Sequence, residues 1–435
     1  MLQRNILAVL IAGVAGLSFQ LQAGTLDLRD AISQTIQSNP EVLTELREVD
    51  ARERQVREAL GAYYPTVDLL AGFGFQERDP TAEQKVAGGR NELERSEAQL
   101  NVRQLVFDGF STTNEHKNQQ ARHDSSTFRA SSVGENIALK VARTYLDVMK
   151  QEEIQTLANQ TFDTHQEIYD RMKKRFDSGV GSRADLDQIS GRLALAKTNV
   201  INQNANVLDA KTNFARVVGR FPAQGELTHP GTYKKYLPAS SDEAVEKAVS
   251  NHPLLKSSVS DIEAVNYRYE QTKSAFYPHF HVEVERDLND NIDGVEGQID
   301  DLKVMLRMRY NLFRGRSDEA RTQQFAHLLE KSKEIRNNTH RQVEQETRLS
   351  WVAYEAIRDQ IPSLEDYVRD SQATKEAYVK QFDLGRRTLL DLLNTENEMI
   401  SARETLAAAQ HDTLLNEYRL FHAMGELLFT VGVEL

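Results

Sequence analysis

From residue 302 to 312, Leu302, Val304, Leu306, Met308, Tyr310 and Leu312 alternate with Lys303, Met305, Arg307, Arg309 and Asn311. Successive side chains on a strand point to opposite faces, so this segment predicts a strand with one apolar and one mostly charged face. Upstream, Ala98, Leu100 and Val102 alternate in the same way with Glu97, Gln99, Asn101 and Arg103. Elsewhere the period changes. Leu186, Leu193, Val200, Val207 and Phe214 recur at seven-residue spacing, as do Leu392, Met399, Leu406, Thr413 and Leu420. A neighbouring lane holds Leu393, Ile400, Ala407, Leu414 and Phe421. Sustained seven-residue spacing predicts long helices packed as coiled coils.

The whole pattern occurs twice. Asn39-Pro40 returns as His252-Pro253, and Ala62-Tyr63-Tyr64-Pro65 returns as Ala275-Phe276-Tyr277-Pro278, both 213 residues later. Phe107-Asp108-Gly109 returns as Phe313-Arg314-Gly315, and Asp185 and Gly219 as Asp391 and Gly425, all 206 residues later. Fixed offsets in constant order predict an internal duplication. The first copy covers 24–220 and the second 241–435, joined by a linker at 221–240 that contains Pro222, Pro230 and Pro238. Each copy reads as a short helix, about 26–62 or 241–276, followed by strands, about 65–107 or 278–313. A long helix follows, 110–176 or 315–382, then a glycine tip, about 177–184 or 383–388, and a last helix, 185–218 or 386–427. A helix of that length reaches about 100 Å. Pro362 predicts a kink or break in the second long helix.

The remaining features narrow the setting. Arg4, the apolar run Ile6 to Leu17 and Leu21-Gln22-Ala23 read as a secretory signal peptide over 1–23. After it, no run of 18 apolar residues offers a transmembrane helix. The formal charge of -12 argues against nucleic-acid binding. There is no cysteine. A membrane hold would therefore come from the strands, whose ends carry Tyr63, Tyr64, Phe107, Phe110, Phe276, Tyr277, Tyr310 and Phe313 as an interfacial girdle. Four strands cannot close around water, and open edges are not tolerated in lipid. Three chains pooling four strands each would make about twelve. No enzyme motif is present: Gly72-Phe73-Gly74 sits in a strand and lacks the third glycine and helix of a dinucleotide site. His279 and His281 read as sharing a strand face without a carboxylate, so no metal or other cofactor is expected.

The two helix–Pro–hairpin–helix copies, Phe107-Asp108-Gly109, Phe313-Arg314-Gly315, Arg175-Phe176-Asp177-Ser178-Gly179 and Gln381-Phe382-Asp383-Leu384-Gly385 resemble the TolC family of outer-membrane factors. Gly385-Arg386-Arg387-Thr388-Leu389-Leu390-Asp391-Leu392-Leu393 adds to the resemblance, which covers nearly the whole mature chain. It implies an α+β membrane protein: a homotrimer with a twelve-stranded transmembrane β-barrel above a long α-helical periplasmic barrel of coiled coils. Outer-membrane lipid, a periplasmic adaptor and an inner-membrane ABC transporter or other pump are the implied partners, and no nucleic acid. Leu302, Val304, Leu306, Met308 and Tyr310 would face lipid. Gly179 and Gly385 match the family's tip glycines, where adaptors dock. At the entrance gate, Asp185 and Arg387 match an acidic and a basic residue that restrain closure across neighbouring coils, and Asp391 matches one member of an acidic ring. Two gate positions depart from the family: Phe382 stands for a tyrosine and Asn394 for a second acid. The implied function is a passive exit duct of a type I secretion system. The alternatives are the outlet of a drug or metal efflux pump, and a soluble periplasmic coiled-coil adaptor.

Overall fold

The computed structural model describes residues 25–77, 92–293 and 296–435. The expected signal peptide and part of the first hairpin lie outside the described residues. Helices α1 (Leu28–Ser38) and α2 (Pro40–Gly61) lead into strands β1 (Thr66–Glu77) and β2 (Glu92–Phe107). Next come α3 (Ser111–Asp177) and α4 (Arg183–Val218). The second half repeats this order with α5 (Ser241–Asn251), α6 (Pro253–Thr272), β3 (His279–Asp290), β4 (Gln298–Arg309), α7 (Ser317–Asp383) and α8 (Leu389–Met424). A short α9 (Leu427–Val431) follows.

Helix lengths match between halves. Both long helices have 67 residues and both return helices have 36. Each short helix expected at the start of a half is two helices. Asn39 is extended and His252 is non-helical, and each caps the next helix, whose first residue is Pro40 or Pro253. The residue before a proline avoids the helical region, while proline itself suits a helix's first position. The repeated Phe-x-Gly motif also has a local cause. Gly109 and Phe110, like Gly315 and Arg316, are consecutive residues of positive φ, which turn the chain from strand into long helix.

Pro362 does not break its helix; α7 runs continuously through it. Pro362 and Arg358, whose carbonyl the proline leaves without its helical donor, are both exposed, so water can take that carbonyl. Contacts with α8 lie on both sides of Pro362: Thr347 Oγ1 donates to Ala423 O, and Arg403 donates to Gln372 Oε1.

The main core lies where the middle of α3 meets the ends of α4 and α8. Tyr145, Phe214, Leu420, Phe421 and Leu427 are almost fully buried there. It also pins the linker. Leu26 bridges Leu227 in parallel, and Tyr145 Oη lies 2.7 Å from Leu26 O and 2.6 Å from Thr228 O. Glu135, on α3, accepts the backbone N–H groups of Leu427 and Leu428 at 3.0 and 3.1 Å. Burial pushes its carboxyl up to about 7 despite those bonds.

Candidate functional site

The four strands form one antiparallel sheet in the order β1-β2-β3-β4. Directly paired residues share a face, so the register sorts the side chains. Val67, Leu69, Phe73 and Phe75 on β1 join Ala98, Leu100 and Val102 on β2, then Val282 and Val284 on β3, then Leu302, Val304, Leu306 and Met308 on β4. This face is bare: Phe75 is 80% exposed, Val304 67% and Leu306 67%. An apolar surface of this extent needs a non-aqueous partner. Tyr310 lies just past β4 and is exposed.

The opposite face is charged and internally paired. Glu283 is held by Arg103 at 2.7 Å and by Arg307. Lys303 reaches Glu285 at 3.1 Å and Asp287 at 2.7 Å. His279 and His281 lie on this face, and here the sequence expectation is corrected. Glu283 shares their face, with His281 Nε2 3.4 Å from its carboxylate. Two arginines already occupy that carboxylate, and no metal-binding group of three or more ligands occurs among the described residues. At the sheet's base Phe107, Phe110 and Tyr277 stack edge to face, with ring centroids 5.4 to 6.4 Å apart.

At the far end of the molecule the coiled coils end in two tight turns. Gly179 has φ +79 and Gly385 φ +69. These left-handed positions close the helix ends: the Gly179 N–H reaches Phe176 O and the Gly385 N–H reaches Phe382 O, both at 2.9 Å. Beside them Val180 and Leu384 are 75% and 71% exposed. Above the turns Ile168, Met172, Ile189, Leu389, Leu392 and Leu393 bury one another, with Phe382 against them.

The structure gathers most of the predicted gate residues. Asp185, Phe382, Gly385 and Arg387 line one cleft of about 340 Å³ with Met172, Arg175 and Thr388. It does not join Asp185 to Arg387 within a protomer. Arg387 lies 4.2 Å over the Tyr378 ring, 3.1 Å from Gln381 Oε1 and 4.0 Å from Asp391. Asp185 has no hydrogen-bond or ion-pair partner among the described residues. Asp391 closes a capping box with Thr388, each bonding the other's backbone N–H. Those bonds from Thr388, then nearby Arg387, hold the Asp391 carboxyl below its usual range. Asn394 is exposed on α8 and does not line the cleft. Sequence reading missed Tyr378 and Gln381 as the supports of Arg387. The Thr388-x-x-Asp391 spacing was a legible cap signal.

An open four-stranded sheet with one bare apolar face thus stands at one end of coiled coils about 100 Å long, and that face needs a non-aqueous surrounding. The model of the outer membrane efflux protein family matches residues 31–220 and 244–426, most of both halves. The chain belongs to this family. It is therefore an outer-membrane protein that reaches into the periplasm, in a family of channel-forming proteins rather than enzymes. Outer membrane efflux protein BepC of Brucella suis is 23% identical over 329 residues, 75% of this chain and 72% of that one. Alkaline protease secretion protein AprF of Pseudomonas aeruginosa is 23% identical over 333 residues, 75% and 69% of the two chains. The crystal structure of CusC superposes with a TM-score of 0.78 at 15% identity, covering 94% of this chain and 95% of that one.

Proposed function

We propose that this chain forms a homotrimeric channel-tunnel, with a twelve-stranded barrel, that serves as the passive exit duct of a type I secretion system. The sheet carries this reading. β1 and β4 each have only one hydrogen-bonded neighbour among the described residues, while the apolar face needs lipid. Unpaired edges in hydrocarbon cost several kcal/mol per group, so further copies must close the ring. The helices also leave apolar lanes uncovered, Ile201 and Leu208 on α4, and Ile335, Leu349 and Val352 on α7, which suit the next protomer. The internal duplication supplies two hairpins and two tips per chain.

The secretion assignment rests on the alkaline protease secretion relative. The efflux reading is favoured by the name of the Brucella relative. A deletion strain separates them. The expected result is loss of one large secreted or surface protein, with drug tolerance unchanged and a heat-sensitive trimer in wild-type outer-membrane fractions. Hypersensitivity to several drugs with an unaltered secretome would make the protein an efflux outlet.

At the tips, an adaptor would dock on Val180 and Leu384 beside the two glycines. Asp185, free within its own protomer, would meet a basic group of a neighbouring coil, and Arg387 would be that group. Each charge-assisted contact contributes about 1.5 kcal/mol, so losing it shifts the closed-to-open ratio about tenfold. Asp185→Ala combined with Arg387→Ser is therefore predicted to raise single-channel conductance in a planar bilayer. Unchanged conductance would sink the latch.

A further inference from the structure

Where the sheet meets the helices, one cleft of about 320 Å³ gathers Arg268, Arg309, Arg314, Arg321 and His279 around a single carboxylate, Asp318. It lies between the end of α6, the exit of β4 and the first turns of α7. Two of the arginines are satisfied: Arg268 Nη1 lies 2.6 Å from Glu115 Oε2, and Arg314 Nη1 lies 3.7 Å from Asp318 Oδ1. Arg309 and Arg321 have no hydrogen-bond or ion-pair partner for their side chains among the described residues. His279 Nε2, the cross-strand neighbour of Arg309, is 3.4 Å from Ser274 O.

This surplus of base does not follow from composition, since the chain has 65 acidic against 53 basic residues. Directly above it on the charged face, Glu283, Glu285 and Asp287 are already held by Arg103, Arg307 and Lys303. The two unpaired guanidiniums therefore point into a cleft whose nearby carboxylates are spoken for. A concave surface of one sign focuses its field, and guanidinium forks match carboxylate and phosphate oxygens. His279 and Arg309 lie opposite the bare face of Leu306 and Met308, so the cleft opens on the water side of the sheet.

We propose that this cleft is an oxyanion site on the wall of the passage, which takes carboxylates of an acidic polypeptide segment on its way through the channel. The role in passage rests on the trimeric channel reading, which would repeat the cleft three times around the lumen. The cleft itself is built within one protomer.

The test uses the purified full-length protein, with hexa-aspartate and hexalysine as probes, and its oligomeric mass measured on the same sample. Hexa-aspartate should bind and hexalysine should not, with affinity falling as salt rises. Arg309→Ser combined with Arg321→Ser should weaken hexa-aspartate at least about tenfold, while Arg386→Ser at the distant tip should leave it unchanged. Absence of hexa-aspartate binding, or equal binding by the double variant, would overturn the site. So would a double variant that loses only co-purified phospholipid, which would make the ligand a lipid headgroup. A monomeric mass would count against the channel reading, while the peptide titration would still decide the cleft.

Discussion

Acidification from above 6.5 to about 4 is expected to loosen the region where α5, α6 and α8 meet, through His252 and His422. Burial lowers both imidazoles to about 4. His422 lowers His252 further and Glu346 opposes this, while Arg419 and Arg143 add to the lowering of His422. Asn136 donates its amide N–H to Ser132 O, which turns its oxygen toward His422. The His422 Nε2–H therefore donates to Asn136, at 3.0 Å, and the buried Nδ1 has no partner. A second proton would sit on that Nδ1, unpaired and close to two arginines.

The sign follows from the lowered folded values. Above pH 6.5 both histidines are neutral in either state and their contribution is complete. As pH falls toward 4, the unfolded chain takes protons that the fold refuses, at about 3 kcal/mol for each histidine at most. Glu135 acts in the other direction. Its raised carboxyl contributes stability below 4.5 that is lost as pH rises to about 7. Glu404 and Glu417, also raised by burial, act as Glu135 does, while buried His165 acts with the two histidines, so the contribution of His252 and His422 is read as the difference between wild type and a variant that lacks both. Thermal melts across this range are expected to show a midpoint that falls further in wild type than in His252→Asn with His422→Gln. An identical acid limb in the double variant would refute the assignment.

Gly425→Ala is expected to destabilise the protein by more than about 3 kcal/mol, and Gly219→Ala by only about 1 to 2. The two glycines stand 206 residues apart, and both end a 36-residue helix with positive φ, +72 and +91. An alanine at either place carries the strain of a left-handed residue. At Gly219 the new methyl would meet nothing within 4 Å. At Gly425 it would stand 2.6 Å from Pro253 Cδ and 2.7 Å from His252 Cα. That overlap is with the start of α6, which cannot yield as a side-chain tip can. Denaturation of the two variants side by side checks this, and equal losses would show that α6 moves freely away.

Much of the architecture was legible because its signals are local. Period-two alternation in 302–312 and seven-residue lanes in 186–214 state which way each side chain points once the element type is known. The repeated glycines mark turns, since only a residue without Cβ takes positive φ at little cost. From these alone came the order of elements, the bare strand face of Leu302, Val304, Leu306 and Met308, and the two tips at Gly179 and Gly385. Pro362 brings no break because the penalty for an internal proline depends on whether water reaches the stranded carbonyl, and that is set by which face of α7 packs.

Tertiary structure decided everything that depends on partners distant in sequence. Glu283 reaches Arg103 across 180 residues, which the spacing of His279 and His281 could not reveal. His252 and His422 acquire their common acid response only because α6 and α8 bring them together, and Gly425 differs from Gly219 for the same reason. Arg309 and Arg321 look like ordinary surface charges in the chain; the fold leaves them unpaired by giving the neighbouring carboxylates to other cations. The sequence by itself determined periodicity and turns, which are properties of consecutive residues. Pairing, burial and charge balance are properties of neighbours in space, and only the packed structure sets them.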